Sequence, residues 1–223
     1  MPAATAGDRW VCLDVGETLI DETRIWMTWA SVLDVTPLTM MAALGVAIAG
    51  GEHRDVFALL GRPDWHELAP QVEELYGGFR DGDLYPDALT ALPALTGLGY
   101  RVAVLANQPG ARTAELHALG VAAELMAMSE ELGVHKPDPA FFRRALELMG
   151  GPDPADVAYV GDRLDNDVRP AAAAGMRAVW LRRGPWAALS GERPAEAALV
   201  VDSLAELVER IGEALPMPAA AGR

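Results

Sequence analysis

A single cysteine, Cys12, stands in a chain of 223 residues. No disulfide can close within it, which fits a reducing compartment. Cys12 lies in an apolar run, where a buried, inert thiol is expected, not a nucleophile. Positive charge is also scarce: 18 Lys+Arg against 32 Asp+Glu leave a formal net charge of −14. Nucleic acid and anionic membranes both require a basic surface, so neither is expected as a partner. Long apolar runs are missing too. The most apolar segment, residues 38–51, has 14 residues and three glycines, too short and too loose to span a bilayer. Residues 1–5 show no basic stretch leading into an apolar one, so no signal peptide is expected, and a soluble cytoplasmic protein is. No internal repeat or low-complexity tract is found.

What is present is the composition of a globular protein, 51% hydrophobic and 22% charged. A chain of this length suits one domain plus an insertion and buries roughly 70% of its unfolded surface. Short apolar runs at residues 10–15, 101–106, 156–160 and 177–181, with a weaker one at 198–201, read as buried parallel strands. Between them, helical spacing appears at residues 87–98 (Leu89, Leu92, Leu95, Leu98), 111–119 and 139–149. Pro170 opens a further helix and Gly175 closes it. This alternation predicts an α/β fold, a parallel sheet with helices on both faces. Residues 21–83 break it: helices are predicted at 23–33, 37–48, 53–60 and 64–76, with no strand-like run. We therefore expect a core from residues 1–20 and 84–215, a helical lobe from 21–83, and a frayed tail at 216–223.

In an open parallel sheet, ligands bind beyond the carboxyl ends of the strands. The polar residues there are Asp14, Glu17 and Thr18; Asn107 and Gln108; and Asp162, Asp165 and Asp167. Lys136 precedes the helix that begins near Pro139. Several carboxylates with one ammonium suit a hard divalent cation and an anion, and Mg²⁺ commonly takes a few carboxylates, water and a substrate phosphate.

Four segments carry a resemblance: Asp14-Val15-Gly16-Glu17-Thr18-Leu19, Val104-Leu105-Ala106-Asn107, residues 129–139 around Lys136, and Val160-Gly161-Asp162 through Asp167. Through them the chain resembles the haloacid dehalogenase-like (HAD) superfamily, in its phosphatase-type members with a helical cap after the first motif. The resemblance covers residues 10–181. It implies a Rossmann-like core, a Mg²⁺ cofactor and a small phosphorylated substrate. It also implies Asp14 as the nucleophile that becomes an aspartyl phosphate, with Lys136 neutralising the phosphoryl oxygens. Asp14, the backbone carbonyl of Gly16, Asp162 and Asp167 would hold the metal, Asp167 directly or from behind another ligand. Thr18, Asn107, Gln108 and the lobe residue Arg54 are candidates for substrate contact.

Two positions depart from the family pattern. Where the family has a second aspartate that protonates the leaving oxygen, this chain has Gly16; where it has Ser or Thr, this chain has Ala106. General acid–base help supplies about 10²–10⁴-fold, so slow turnover is expected, and Gly16→Asp is expected to raise it. Glu17, His53 or His66 are possible replacements. Two alternatives stay open: a catalytically impaired relative that binds a phosphorylated ligand, and a metal-independent 2-haloacid dehalogenase. A phosphonate-cleaving enzyme would need a lysine from the lobe, and residues 21–83 contain none.

Overall fold

The computed structural model describes residues 8–190 and 194–217. Its central strand, β1 (Trp10–Leu13), is four residues long and fully buried. Side chains alternate across a strand, so Val11 and Leu13 enter one apolar layer while Trp10 and Cys12 enter the other. Both faces are covered, which is why the run is continuously apolar. Parallel pairing adds β2 (Arg101–Ala106) and β3 (Leu125–Met128) on one side of β1. On the other side come β4 (Val157–Gly161), β5 (Arg177–Leu181) and β6 (Leu199–Val201). The order β3-β2-β1-β4-β5-β6 reverses at β1, and such a reversal opens a crevice at the strand ends.

One layer packs α5 (Ala88–Gly97), α6 (Ala111–Ala118) and α11 (Leu204–Ala214) onto the sheet. The other packs α8 (Pro139–Leu148), through Phe141, Phe142 and Ala145, and α9 (Arg169–Ala173). Between β3 and α8 lies the short α7 (Ser129–Leu132), and α10 (Gly184–Leu189) follows β5. Cys12 is buried, and burial pushes its thiol far up, leaving it inert.

Between β1 and β2 the chain inserts α1 (Thr23–Val32), α2 (Pro37–Ala49), α3 (Asp55–Leu59) and α4 (Trp65–Tyr76), ahead of α5. The insert has its own apolar cluster, centred on Trp29, Leu33, Met40, Leu44, Phe57 and Val72. Trp65 stacks on Phe57 at 4.6 Å. Two arginines tie it down. Arg24 bonds Asp83 and the carbonyls of Tyr76 and Gly78, and Arg112 of α6 bridges Glu73 and Glu115. No single helix among the described residues is long and apolar enough to cross a membrane, and α1 and α2 are bent 114° from each other.

Three expectations need correction. The strand β3 was not foreseen, nor was the helix α11. The buried stripe of α5 is Ala88, Ala91, Leu92 and Leu95, whereas Leu89 and Leu98 face solvent. The expected tail at 216–223 lies, from residue 218 onward, outside the described residues.

Candidate active site

Register brings the strand ends together. Leu13 pairs with Val104 on one side and Val160 on the other. Asp14, one residue past β1, is therefore level with the ends of β2 and β4, where Asn107 and Asp162 emerge. The Asp14 N–H donates to the Val160 carbonyl at 2.9 Å, fixing that step.

Lys136, the only lysine in the chain, is buried against this edge. Its Nζ lies 2.8 Å from Asp14 Oδ1 and 2.5 Å from Asp167 Oδ1. Burial alone would strip the proton, but the Asp14 and Asp167 charges hold the ammonium well above its ordinary pKa. Asn107 fixes its backbone: the Lys136 N–H donates to Asn107 Oδ1 and Asn107 Nδ2 donates to the Lys136 carbonyl, both at 2.8 Å. Both ends of the Asn107 amide are thus engaged with Lys136.

Asp167 sits in a π-helical turn at Leu164–Val168. Its Oδ2 accepts from the Arg163 N–H at 3.1 Å. The carboxylate lies across Gly161, where a built Cβ would come within 2.7 Å of Asp167 Cβ and closer still to its carboxyl carbon. Only glycine leaves room. Burial pushes Asp167 up to about 6 against the pull of Lys136.

Asp14, Asp162 and Asp167 each offer an oxygen within 4.8 Å of the other two. Asp162 Oδ2 is buried with no hydrogen-bond partner. Burial, then the charges of Asp167 and Asp14, raise this carboxyl well above the carboxylate range. Three clustered acids, one with an unsatisfied oxygen and only one ammonium among them, have the donor chemistry of a hard-cation site.

Asp14 and Asp162 open into a cavity of about 140 Å³ between sheet edge and insert, which Lys136 and Asp167 do not line. The sheet side contributes Asp14, Gly16, Gln108, Asp162 and Arg163, and the insert contributes Trp26, His53 and Arg54. Thr18 is fully buried, does not line the cavity, and leaves its hydroxyl without a partner. Of the possible acid–base replacements, His66 is exposed and stacks on Trp65, away from the cavity. His53 reaches it, with Nδ1 3.0 Å from Arg163 Nη1. Burial and the Arg163 charge lower its imidazole to about 4, so the neutral ring accepts from the guanidinium.

Glu17 adopts a left-handed backbone, φ 49°. Its carboxylate takes the Tyr85 hydroxyl at 2.5 Å and the Glu22 N–H at 2.9 Å. That turn brings in a residue the sequence did not single out. A Cβ built on Gly16 would lie 2.9 Å from the carboxyl carbon of Glu22 and closer to Oε1. Glu22 fills the space beside Gly16, lines the cavity, and is pushed up to about 8 by burial and by the charges of Glu17 and Asp14. Nothing local marks it, since an acidic residue just before a helix is commonplace.

Comparison with known proteins identifies the family. The family model for haloacid dehalogenase-like hydrolases matches residues 9–175. A glyceraldehyde 3-phosphate phosphatase of Methanopyrus kandleri is 37% identical over 46% of this chain and 45% of its own. A phosphoserine phosphatase of Thermus thermophilus is 41% identical over 45% of this chain and 41% of its own. The chain thus spans less than half the length of these two curated relatives. Among solved structures, a HAD family hydrolase from Deinococcus radiodurans with bound phosphate and sodium superposes with a TM-score of 0.69 at 24% identity, covering 97% of this chain and 100% of that one. A magnesium-bound HAD-hydrolase from Bacillus subtilis gives 0.69 at 16% identity, covering 91% and 97%.

Proposed function

This chain belongs to the haloacid dehalogenase-like hydrolase family, and from that premise we propose that it is a Mg²⁺-dependent phosphatase of a small phosphorylated metabolite. The observation that carries the reading is the buried ammonium of Lys136 between Asp14 and Asp167, with the unpartnered Asp162 oxygen beside them. Curated phosphatases among the relatives support the substrate class. Residues 21–83 would be the cap over a core of 1–20 and 84–215.

Asp14 attacks phosphorus through a carboxylate oxygen: the Asp14–phosphorus bond forms and the bond to the leaving oxygen breaks. Water then attacks phosphorus, releases phosphate and restores the carboxylate. Covalent catalysis thereby divides one hard hydrolysis into two displacements. Lys136 keeps Asp14 ionised and faces the phosphoryl charge, and Asn107 holds that lysine in place and also lines the cavity. Asp14, Asp162 and the Gly16 carbonyl would hold the metal, and Asp167 can share in it while bridging to Lys136. Bound there, Mg²⁺ supplies positive charge to the phosphoryl oxygens. Gln108 and Arg54 line the cavity as substrate contacts; Thr18 supports the loop from behind. The insert shields the reaction from water.

A metal-independent dehalogenase is the weaker reading, because three clustered carboxylates share one ammonium, and the nearby Arg163 guanidinium is already paired with Asp165. Phosphate release from a panel of esters tests the choice. The expected result is activity that requires Mg²⁺, disappears with chelator, and falls by more than about 10³-fold in Asp14→Asn. Halide release from 2-haloacids in the presence of chelator would overturn it. A panel without turnover, with phosphate still raising the Tm when Mg²⁺ is present, would favour the impaired, ligand-binding relative.

A further inference from the structure

An alcohol leaves phosphorus as an alkoxide unless a proton reaches its oxygen, so the cavity needs a group to bring one. Asp14 is committed to phosphorus and to Lys136. Asp162 belongs to the clustered carboxylates. Both oxygens of Glu17 already accept hydrogen bonds, from Tyr85 and from the Glu22 N–H. His53 is held through Nδ1 by Arg163. Arginine does not give up a proton.

Glu22 remains. It occupies the position just before α1, yet its side chain makes no capping hydrogen bond. The bond from its N–H to Glu17 anchors its backbone, while its carboxyl group turns back against Gly16 and into the same cavity as Asp14. Position 16 carries no side chain, and the carboxyl group of Glu22 stands in the space one would use.

We propose that Glu22 is a catalytic residue, the proton carrier of the reaction. This rests on the phosphatase reading above. As Asp14 attacks and the phosphorus–oxygen bond to the alcohol breaks, the Glu22 proton passes to the leaving oxygen. When water attacks the aspartyl phosphate, one of its protons returns to the Glu22 carboxylate and phosphate departs. Atoms and charge balance over the two steps, and no other reactant is needed.

The test is Glu22→Gln, which keeps size and removes the proton carrier, examined by rapid mixing with Mg²⁺ on two esters. For p-nitrophenyl phosphate, whose phenolate leaves without a proton, the expected result is an unchanged burst of one nitrophenolate per site followed by slow turnover. For a simple alkyl phosphate, burst and turnover should both fall about 10²-fold or more. The surviving burst shows that the variant is folded with Asp14 competent. Alkyl phosphate turnover within a few-fold of the unsubstituted protein would overturn the proposal. So would loss of the nitrophenolate burst, because that places Glu22 in the architecture instead of the proton path. Failure of the phosphatase reading is distinguishable: then the unsubstituted protein releases phosphate from neither ester, and this role falls with it.

Discussion

On the sheet side of the cavity, Lys136 meets two carboxylates at 2.8 and 2.5 Å, and Asn107 grips its backbone from both sides. On the insert side, Arg54 is exposed, and the half-buried His53 bonds Arg163 and packs edge-on against Trp26 and Trp186. The sheet-side groups are fixed by several partners, at an edge set by strand register. His53 and Arg54 stand in the turn ahead of the short α3. The sheet wall is therefore the more tightly fixed of the two.

Breaking the sheet side should cost most. Lys136→Met leaves Asp14 and Asp167 buried without their cation, and removing one partner of a buried ion pair costs about 3–5 kcal/mol. Denaturant titration should show that loss, together with loss of phosphate release. Unchanged stability would mean that the two walls do not differ as described.

Gly16→Asp is next, and here the expectation from sequence reverses. The new side chain would collide with the Glu22 carboxyl group, so a loss of about 1–3 kcal/mol is expected, with no gain in turnover. Adding Glu22→Ala should recover most of the lost stability, because the two changes act on one space. Thermal melts of the single and double variants check this.

His53 gives a smaller, pH-dependent effect. Its imidazole titrates near 6.5 when free and near 4 in the fold. Between those values the unfolded chain takes up a proton that the folded chain refuses, so stability falls as pH drops from 6.5 towards 4. Arg163 and Arg54 disfavour the charged ring, while Glu52 and Asp165 favour it. His53→Gln should flatten this part of the profile, measured by denaturant midpoints across that range. Arg54→Ala should do least: stability within about 0.5 kcal/mol, kcat retained, and KM raised about fivefold, the loss of an exposed contact worth about 1 kcal/mol.

The same contrast governs what could be read from sequence. Central strands such as β1 and β5 are buried on both faces, so their apolar runs stand out. The edge strand β3 is Leu-Met-Ala-Met, residues that favour helices, and only its pairing with β2 makes it a strand. On α5 the packing face uses small Ala88 and Ala91 where spacing alone suggested Leu89. Asp14 and Asp162 were visible because each closely follows an apolar run. Glu22 was not, because it meets Gly16 only after the chain turns through the left-handed Glu17, a closure no linear pattern records.

The solitary lysine has a practical corollary. With its amine enclosed between Asp14 and Asp167, the native protein offers acylating reagents no accessible side-chain amine among its described residues. Acylation of residue 136 would then report opening of this sheet edge itself, a chemical clock for exposure free of background from other lysines.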